Sequence, residues 1–194
     1  MEKHIAILAT DGFEESELKS PKEAMEREGF KVDIISLNPG KIKSWSQGNW
    51  TNEYKVDNTL DQVTAKDYDA LVLPGGVINP DKLRRSEEAL NFVKDFFDQS
   101  KPVASICHGP WTLISADVLK GKTLTSFYSI RKDLENAGAV WIDKKVVVDG
   151  SLITSRNPDD LPVFNEKLIE EINKRKSLYQ RMQSVKYPLQ NSYN

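Results

Sequence analysis

A single cysteine, Cys107, stands in the 194 residues, which excludes an intramolecular disulfide framework and fits a reducing compartment. Histidine is nearly as scarce, with only His4 and His108, and no Cys/His spacing suits a zinc site. Basic excess is missing as well: 27 Lys and Arg against 29 Asp and Glu leave a net charge of −2. A nucleic-acid or anionic-membrane partner calls for a positive footprint, so neither is expected. No apolar run approaches membrane-spanning length. The run Ile5 to Ala9 is too short for a signal-peptide core, and acidic residues follow at once. The reading is a soluble cytoplasmic protein, in which the sequon Asn49-Trp50-Thr51 stays idle. There is no G-x-G-x-x-G and no G-x-S-x-G. Gly121-Lys122-Thr123 resembles the end of a phosphate loop, but Ala116 stands where the first glycine belongs. No cofactor and no metal are expected.

What the chain does have is alternation. Strand patterns at His4 to Ala9, Lys31 to Leu37, Ala70 to Leu73 and Thr123 to Phe127 alternate with helical ones at Glu14 to Glu28, Glu87 to Gln99 and Trp111 to Leu119. Ile130 to Asn136 and Asp160 to Lys176 read as further helices. Lys145 to Val148 and Leu152 to Thr154 flank Asp149-Gly150, a hairpin signal. Such an order predicts a mostly parallel sheet covered by helices on both faces, an α/β fold. Residues 41 to 59, with Trp45 and Trp50, read as irregular. One domain is expected over residues 1–176. The polar stretch 177–194 reads as a loose tail or an arm that packs on another subunit.

The chemistry concentrates at Val103-Ala104-Ser105-Ile106-Cys107-His108-Gly109-Pro110. A buried strand runs into a sharp turn and a helix, with the thiol at the turn, which is the setting of a nucleophile elbow. A thiol at a helix N-terminus meets the positive end of the dipole, so thiolate is expected to be favoured. The plain alternative is a small buried hydrophobe. Carboxyl ends of parallel strands line the ligand crevice, and three segments fall there: Asp11 to Glu17, Gly75-Gly76 and Cys107-His108. His4 lies inside a strand and reads as structural, which leaves His108 as the imidazole. Consecutive residues on a helix do not face each other, so a Cys107–His108 dyad requires a strained elbow. Glu14, Glu15 and Glu17 are ordinary complements of a helix start. Glu17 differs, because Leu18 and Pro21 continue a buried pattern around it, and burial there raises a carboxyl pKa. Gly75-Gly76 is a tight turn or a place where a backbone N–H approaches substrate, forming an oxyanion hole with the N–H of His108. Asp81 is a candidate partner for His108 or a surface helix cap.

Ala104 to Pro110 resembles the nucleophile motif of the PfpI-type intracellular cysteine peptidases, in the superfamily of the Parkinsonism-associated deglycase and the class I glutamine amidotransferases. Asp11-Gly12-Phe13-Glu14 with Glu17-Leu18, and Tyr68 to Gly76, are similar to further motifs of that family. So are Val146 to Gly150 and Thr154-Ser155-Arg156 with Asp159-Asp160-Leu161. The resemblance implies a three-layer α/β/α sandwich, flavodoxin-like, with Cys107 as nucleophile, His108 as its partner and Glu17 as the acid touching the thiol. Gly76 matches an oxyanion donor, and Gly75, Glu14 and Phe127 fall into the oxyanion and substrate-binding set. Asp81 matches, with one extra residue in the preceding loop, an acid supplied to a neighbouring subunit, which implies a dimer or larger homo-oligomer. Phe127 departs from the family's usual Tyr or His, and Asp81 is shorter than its usual Glu. No histidine follows His108, so amidotransferase chemistry is disfavoured. The implied activity is a stress-protective cysteine hydrolase acting on glycated protein adducts, α-oxoaldehydes or peptides. The rival is a redox-sensing or chaperone-like stress protein whose thiol is oxidised rather than turned over.

Overall fold

A computed structural model describes the backbone of residues 2–186 and the side chains of residues 2–174. In chain order, β1 (His4–Leu8) is followed by β2 (Phe13–Glu14), α1 (Glu15–Arg27), β3 (Lys31–Ser36), β4 (Lys41–Ser46), β5 (Asn49–Lys55) and β6 (Asn58–Thr59). Then come β7 (Ala70–Leu73), α2 (Ile78–Leu83), α3 (Glu87–Asp98), β8 (Val103–Ile106), α4 (Pro110–Ser115) and β9 (Thr123–Leu124). The chain continues with α5 (Arg131–Asn136), β10 (Val140–Trp141), β11 (Val146–Asp149), β12 (Leu152–Ser155) and α6 (Leu161–Lys186).

Seven strands form the central sheet in the order β11-β12-β8-β7-β1-β3-β6. All neighbours are parallel except β11, which pairs antiparallel with β12. The reason is visible in β1. Its apolar residues fill both faces of the pleat: Ile5 and Ile7 join one core, and Ala6 and Leu8 join the other. A strand buried on both sides belongs inside a parallel sheet covered twice. One cover is led by α3, whose Phe92, Val93 and Phe96 pack on Leu71 and Leu73. Ser86 caps that helix by accepting the Ala89 N–H at 3.2 Å. The opposite cover is α1 with α6, where Leu18, Met25, Phe164 and Leu168 meet Ile5, Ile7 and Val72.

Several expected boundaries move. Residues 41 to 59 are not irregular. They carry the β4–β5 hairpin, which forms a second sheet with β2, and the edge strand β6. Its turn, Gln47-Gly48, takes positive φ at both residues, 50° and 80°, the geometry that suits a two-residue hairpin. The expected strand Thr123 to Phe127 keeps only Thr123–Leu124, because Phe127 turns toward the β8 elbow, its N–H donating to the Cys107 carbonyl at 3.0 Å. The elbow helix is short, ending at Ser115, and α6 runs past the expected end at Lys176 to Lys186. The remainder of the expected tail, 187–194, lies outside the described residues.

Candidate active site

The order of the sheet sets the site. β7 lies between β1 and β8, so the segments leaving the carboxyl ends of these three strands meet. They are the three segments singled out above, and they converge on Cys107.

The elbow is strained and tightly held. Cys107 has φ +61°, a left-handed conformation uncommon for a residue with a side chain, and one that costs on the order of 1–3 kcal/mol. Its N–H donates to the Ser155 carbonyl at 3.1 Å, and the Gly109 N–H returns to Ile106 at 2.9 Å. Only glycine fits at 109, where a Cβ would lie 2.6 Å from the Leu73 carbonyl oxygen and 2.6 Å from Ser105 Oγ. Pro110 then starts α4 with φ already suited to a helix.

This turn brings consecutive side chains together. Cys107 Sγ lies 3.2 Å from His108 Nδ1. The ring's other nitrogen, Nε2, lies 3.1 Å from Ser129 Oγ. Phe127 stacks on the imidazole with centroids 5.0 Å apart, and Trp111 meets it edge-on at 5.2 Å. The aromatic at 127 therefore packs against the base. His108 is buried, and that burial holds its pKa below the usual imidazole range, so the ring is neutral at pH 7.

Glu17 is wholly buried beneath the thiol. Its Oε2 accepts the Gly75 N–H at 2.8 Å, and the carboxyl faces the Cys107 thiol. Desolvation is the largest influence and lifts its pKa to about 8; the Gly75 N–H opposes this, and the nearby Glu14 carboxylate adds to it. At pH 7 Glu17 is therefore mostly protonated. The thiol pKa also moves up. Burial is the main cause and the Glu17 charge the next, against the backbone N–H groups of Gly76 and His108, which point at the sulfur and pull it down. The expectation that the helix dipole would favour thiolate is thus reversed. A six-residue helix has a small dipole effect, and desolvation outweighs it.

The two glycines divide their work. Gly75 gives its N–H to Glu17, and Gly76 presents its N–H to the sulfur. Gly76 has φ +75°, and a Cβ there would lie 2.4 Å from the Gly12 carbonyl oxygen. At Gly75 a Cβ would meet Glu17 Oε2 at 2.6 Å, Cys107 Cβ at 2.7 Å and the Ile106 carbonyl oxygen at 2.8 Å. Gly75→Ala should lower the unfolding free energy by about 1–3 kcal/mol, the usual range for overpacking. A urea midpoint equal to that of the parent would contradict the packing described.

Two sequence candidates stand apart. Glu14 is the residue before α1; its N–H donates to the Gly75 carbonyl at 3.4 Å and its Oε1 accepts from Ser16 Oγ at 3.3 Å. It borders the site and acts on Glu17 through its charge. Asp81, on α2, is not brought to His108 within the chain. Its carboxylate is exposed and lies 3.8 Å from Arg85. Ser129 was not anticipated at all. No group of three or more His, Cys, Asp or Glu side chains suited to a metal ion occurs among the described residues. His4 bonds Asp33 through Nε2 at 2.8 Å, at the amino end of β1, which is the structural role expected of it.

Known proteins resemble the chain over most of its length. Residues 3–171 match the family described as the DJ-1/PfpI family. The chain is 45% identical over 170 residues to "Protein/nucleic acid deglycase 2" of Escherichia coli, covering 87% of this chain and 97% of the relative. It is 43% identical over 166 residues to "Deglycase PfpI" of Pyrococcus furiosus, covering 86% and 97%. Among solved structures, Drosophila melanogaster DJ-1beta superposes with a TM-score of 0.80 at 31% identity, covering 100% of both chains.

Proposed function

The chain belongs to the DJ-1/PfpI family, and from that premise we propose that it is a cysteine-dependent hydrolase that removes α-oxoaldehyde adducts from amines. The observation that carries the proposal is the elbow itself: a thiol 3.2 Å from the Nδ1 of a neutral imidazole, above a protonated carboxyl.

The site supports a definite order of events. The thiol proton passes to His108 Nδ1, and the sulfur attacks the carbon that bears the amine. A C–S bond forms and the C–N bond breaks, and the imidazolium returns its proton to the leaving amine. For a methylglyoxal adduct this leaves a sulfur-bound hemithioacetal. An internal proton shift oxidises its former aldehyde carbon and reduces the ketone beside it, giving a thioester with no outside oxidant. Water then releases lactate and restores the thiol. The N–H groups of Gly76 and His108, which converge at the sulfur, are the proposed donors to the oxyanion. Environments that raise Glu17 and lower His108 divide the roles: an acid that stays protonated and a base that stays free.

One relative's name extends to nucleic acid, so the net charge of −2 argues against tight polyanion binding without removing a glycated base from the substrate class. Asp81, exposed on α2, enters this reading only through assembly, as an acid offered to the site of a second copy of the chain. The rival of a thiol sensor without turnover is not favoured. The relatives' names support that choice, two of them being those of deglycases. No helix among the described residues is long and apolar enough to cross a membrane.

The test is release of free amine and lactate from a methylglyoxal-treated lysine or arginine peptide. Equimolar products, formed faster than the adduct reverses spontaneously, are expected. Amine release capped at the spontaneous rate would reassign the enzyme to the free oxoaldehyde, and absence of both products would defeat the hydrolase reading.

A further inference from the structure

Both nitrogens of the His108 ring are engaged within one chain. Nδ1 faces the Cys107 sulfur at 3.2 Å and Nε2 faces Ser129 Oγ at 3.1 Å. A neutral imidazole carries one proton, so one nitrogen donates and the other accepts. Which is which decides whether the dyad works. A proton on Nδ1 would leave the ring unable to receive the thiol proton.

Ser129 sits in the 3₁₀ turn Tyr128–Ile130, two residues after Phe127, which stacks on the ring. That turn is anchored to the elbow, since the Phe127 N–H donates to the Cys107 carbonyl at 3.0 Å and the Ile130 N–H to Phe127 at 3.3 Å. The hydroxyl is thus delivered by the same segment that clamps the imidazole. The ring is packed between Phe127 and Trp111, and its Nε2 meets the hydroxyl at 3.1 Å.

We propose that Ser129 is the positioning residue of the dyad, accepting the Nε2–H of His108 and so leaving Nδ1 free to take the proton of the Cys107 thiol. This deepens the hydrolase reading and rests on it. When the thiol proton arrives at Nδ1, the ring becomes an imidazolium with both nitrogens protonated. The Nε2–H bond to Ser129 persists through that change, so the ring need not turn between accepting and returning the proton. A hydroxyl orients the ring as a carboxylate partner does elsewhere, but it carries no charge to raise the basicity of His108. The burial that keeps His108 neutral is therefore left intact. Within one chain both ring nitrogens already have a partner, so an acid from a second copy would share Nε2 with this hydroxyl.

Nitrogen NMR of the full-length protein tests this directly, because only two histidines contribute signals. His108 in the parent should be the Nε2–H tautomer. Ser129→Ala should mix the tautomers and lower kcat about tenfold with KM unchanged, the size expected for loss of one supporting hydrogen bond. Ser129→Thr, which restores the hydroxyl, should recover both the tautomer and kcat. A parent ring protonated on Nδ1 overturns the proposal. So does a Ser129→Ala variant with the parent's tautomer and kcat, or a tautomer that moves in Asp81→Asn and not in Ser129→Ala. Should the adduct assay show no turnover in any variant, the hydrolase reading fails, and the NMR result still decides where the ring proton lies.

Discussion

Replacing Cys107 by Ser should reduce kcat/KM on a glycated peptide by at least about 10³-fold while leaving the melting temperature within a few degrees, consistent with losses seen when a covalent nucleophile is removed. The physical reason is the mismatch between an alcohol and this particular base. His108 is held neutral by burial, so it is free to accept a proton, and in the same surroundings a thiol gives one up more readily than an alcohol. Serine also loses the polarisable sulfur at which the Gly76 and His108 N–H groups converge. The fold has little reason to change. Serine occupies the same left-handed φ of +61° with a smaller side chain, and the backbone bonds to Ser155 and Phe127 remain. Activity within tenfold of the parent, with the fold intact, would remove Cys107 from the nucleophile role and transfer the chemistry elsewhere.

Why the thiol was legible and its partners less so follows from the range of each interaction. The elbow is local. A buried apolar run, a Gly-Pro helix start and one cysteine lie within eight residues, and β8 and Pro110 sit where those signals place them. Glu17 was visible because burial leaves a pattern: Leu18 and Pro21 flank it on the inner face of α1. Ser129 left no pattern. It is 21 residues from His108, in a 3₁₀ turn without periodicity, and serine is common in such turns. The only available signal was that Nε2 of a buried imidazole needs a partner, which says nothing of where it comes from. The β4–β5 hairpin was missed for a different reason. Most of β5 is exposed, so it shows no apolar alternation, and the pair is held by Trp45 on Trp50, centroids 5.2 Å apart, and by Ser44 Oγ with Thr51 Oγ1 at 2.7 Å. Cross-strand pairs of that kind are visible only once the register is known. The expected thiolate failed on magnitude: sequence shows a helix start, and it does not show how dry the sulfur will be.

Glu17→Gln should flatten the pH dependence of stability and remove an alkaline limb from the rate profile. Glu17 has an ordinary pKa of 4.5 in the unfolded chain and about 8 in the folded one. Below pH 4.5 both states hold the proton and its burial carries no penalty from ionisation. Between those values the unfolded chain loses the proton and the native state keeps it, so stability falls as pH rises, by about 1.4 kcal/mol per unit. By pH 7 the parent has lost about 3 kcal/mol from this one group, and above pH 8 the loss levels off because the native carboxyl ionises too. Glutamine has the shape of the protonated acid. Its carbonyl can accept the Gly75 N–H and its amide can face the sulfur, yet it does not titrate. Every other titrating group is common to the two proteins. The difference in unfolding free energy between variant and parent should therefore grow by about 3 kcal/mol from pH 4.5 to pH 7, in favour of glutamine. Denaturant melts at several pH values measure it, and a constant difference would mean that Glu17 is already ionised in the native state. The same titration governs chemistry. Once Glu17 ionises, its charge sits against the sulfur that must become negative, so the parent's rate should decline above about pH 8. In Glu17→Gln that decline should vanish, because the group beneath the thiol remains a neutral donor across the whole range.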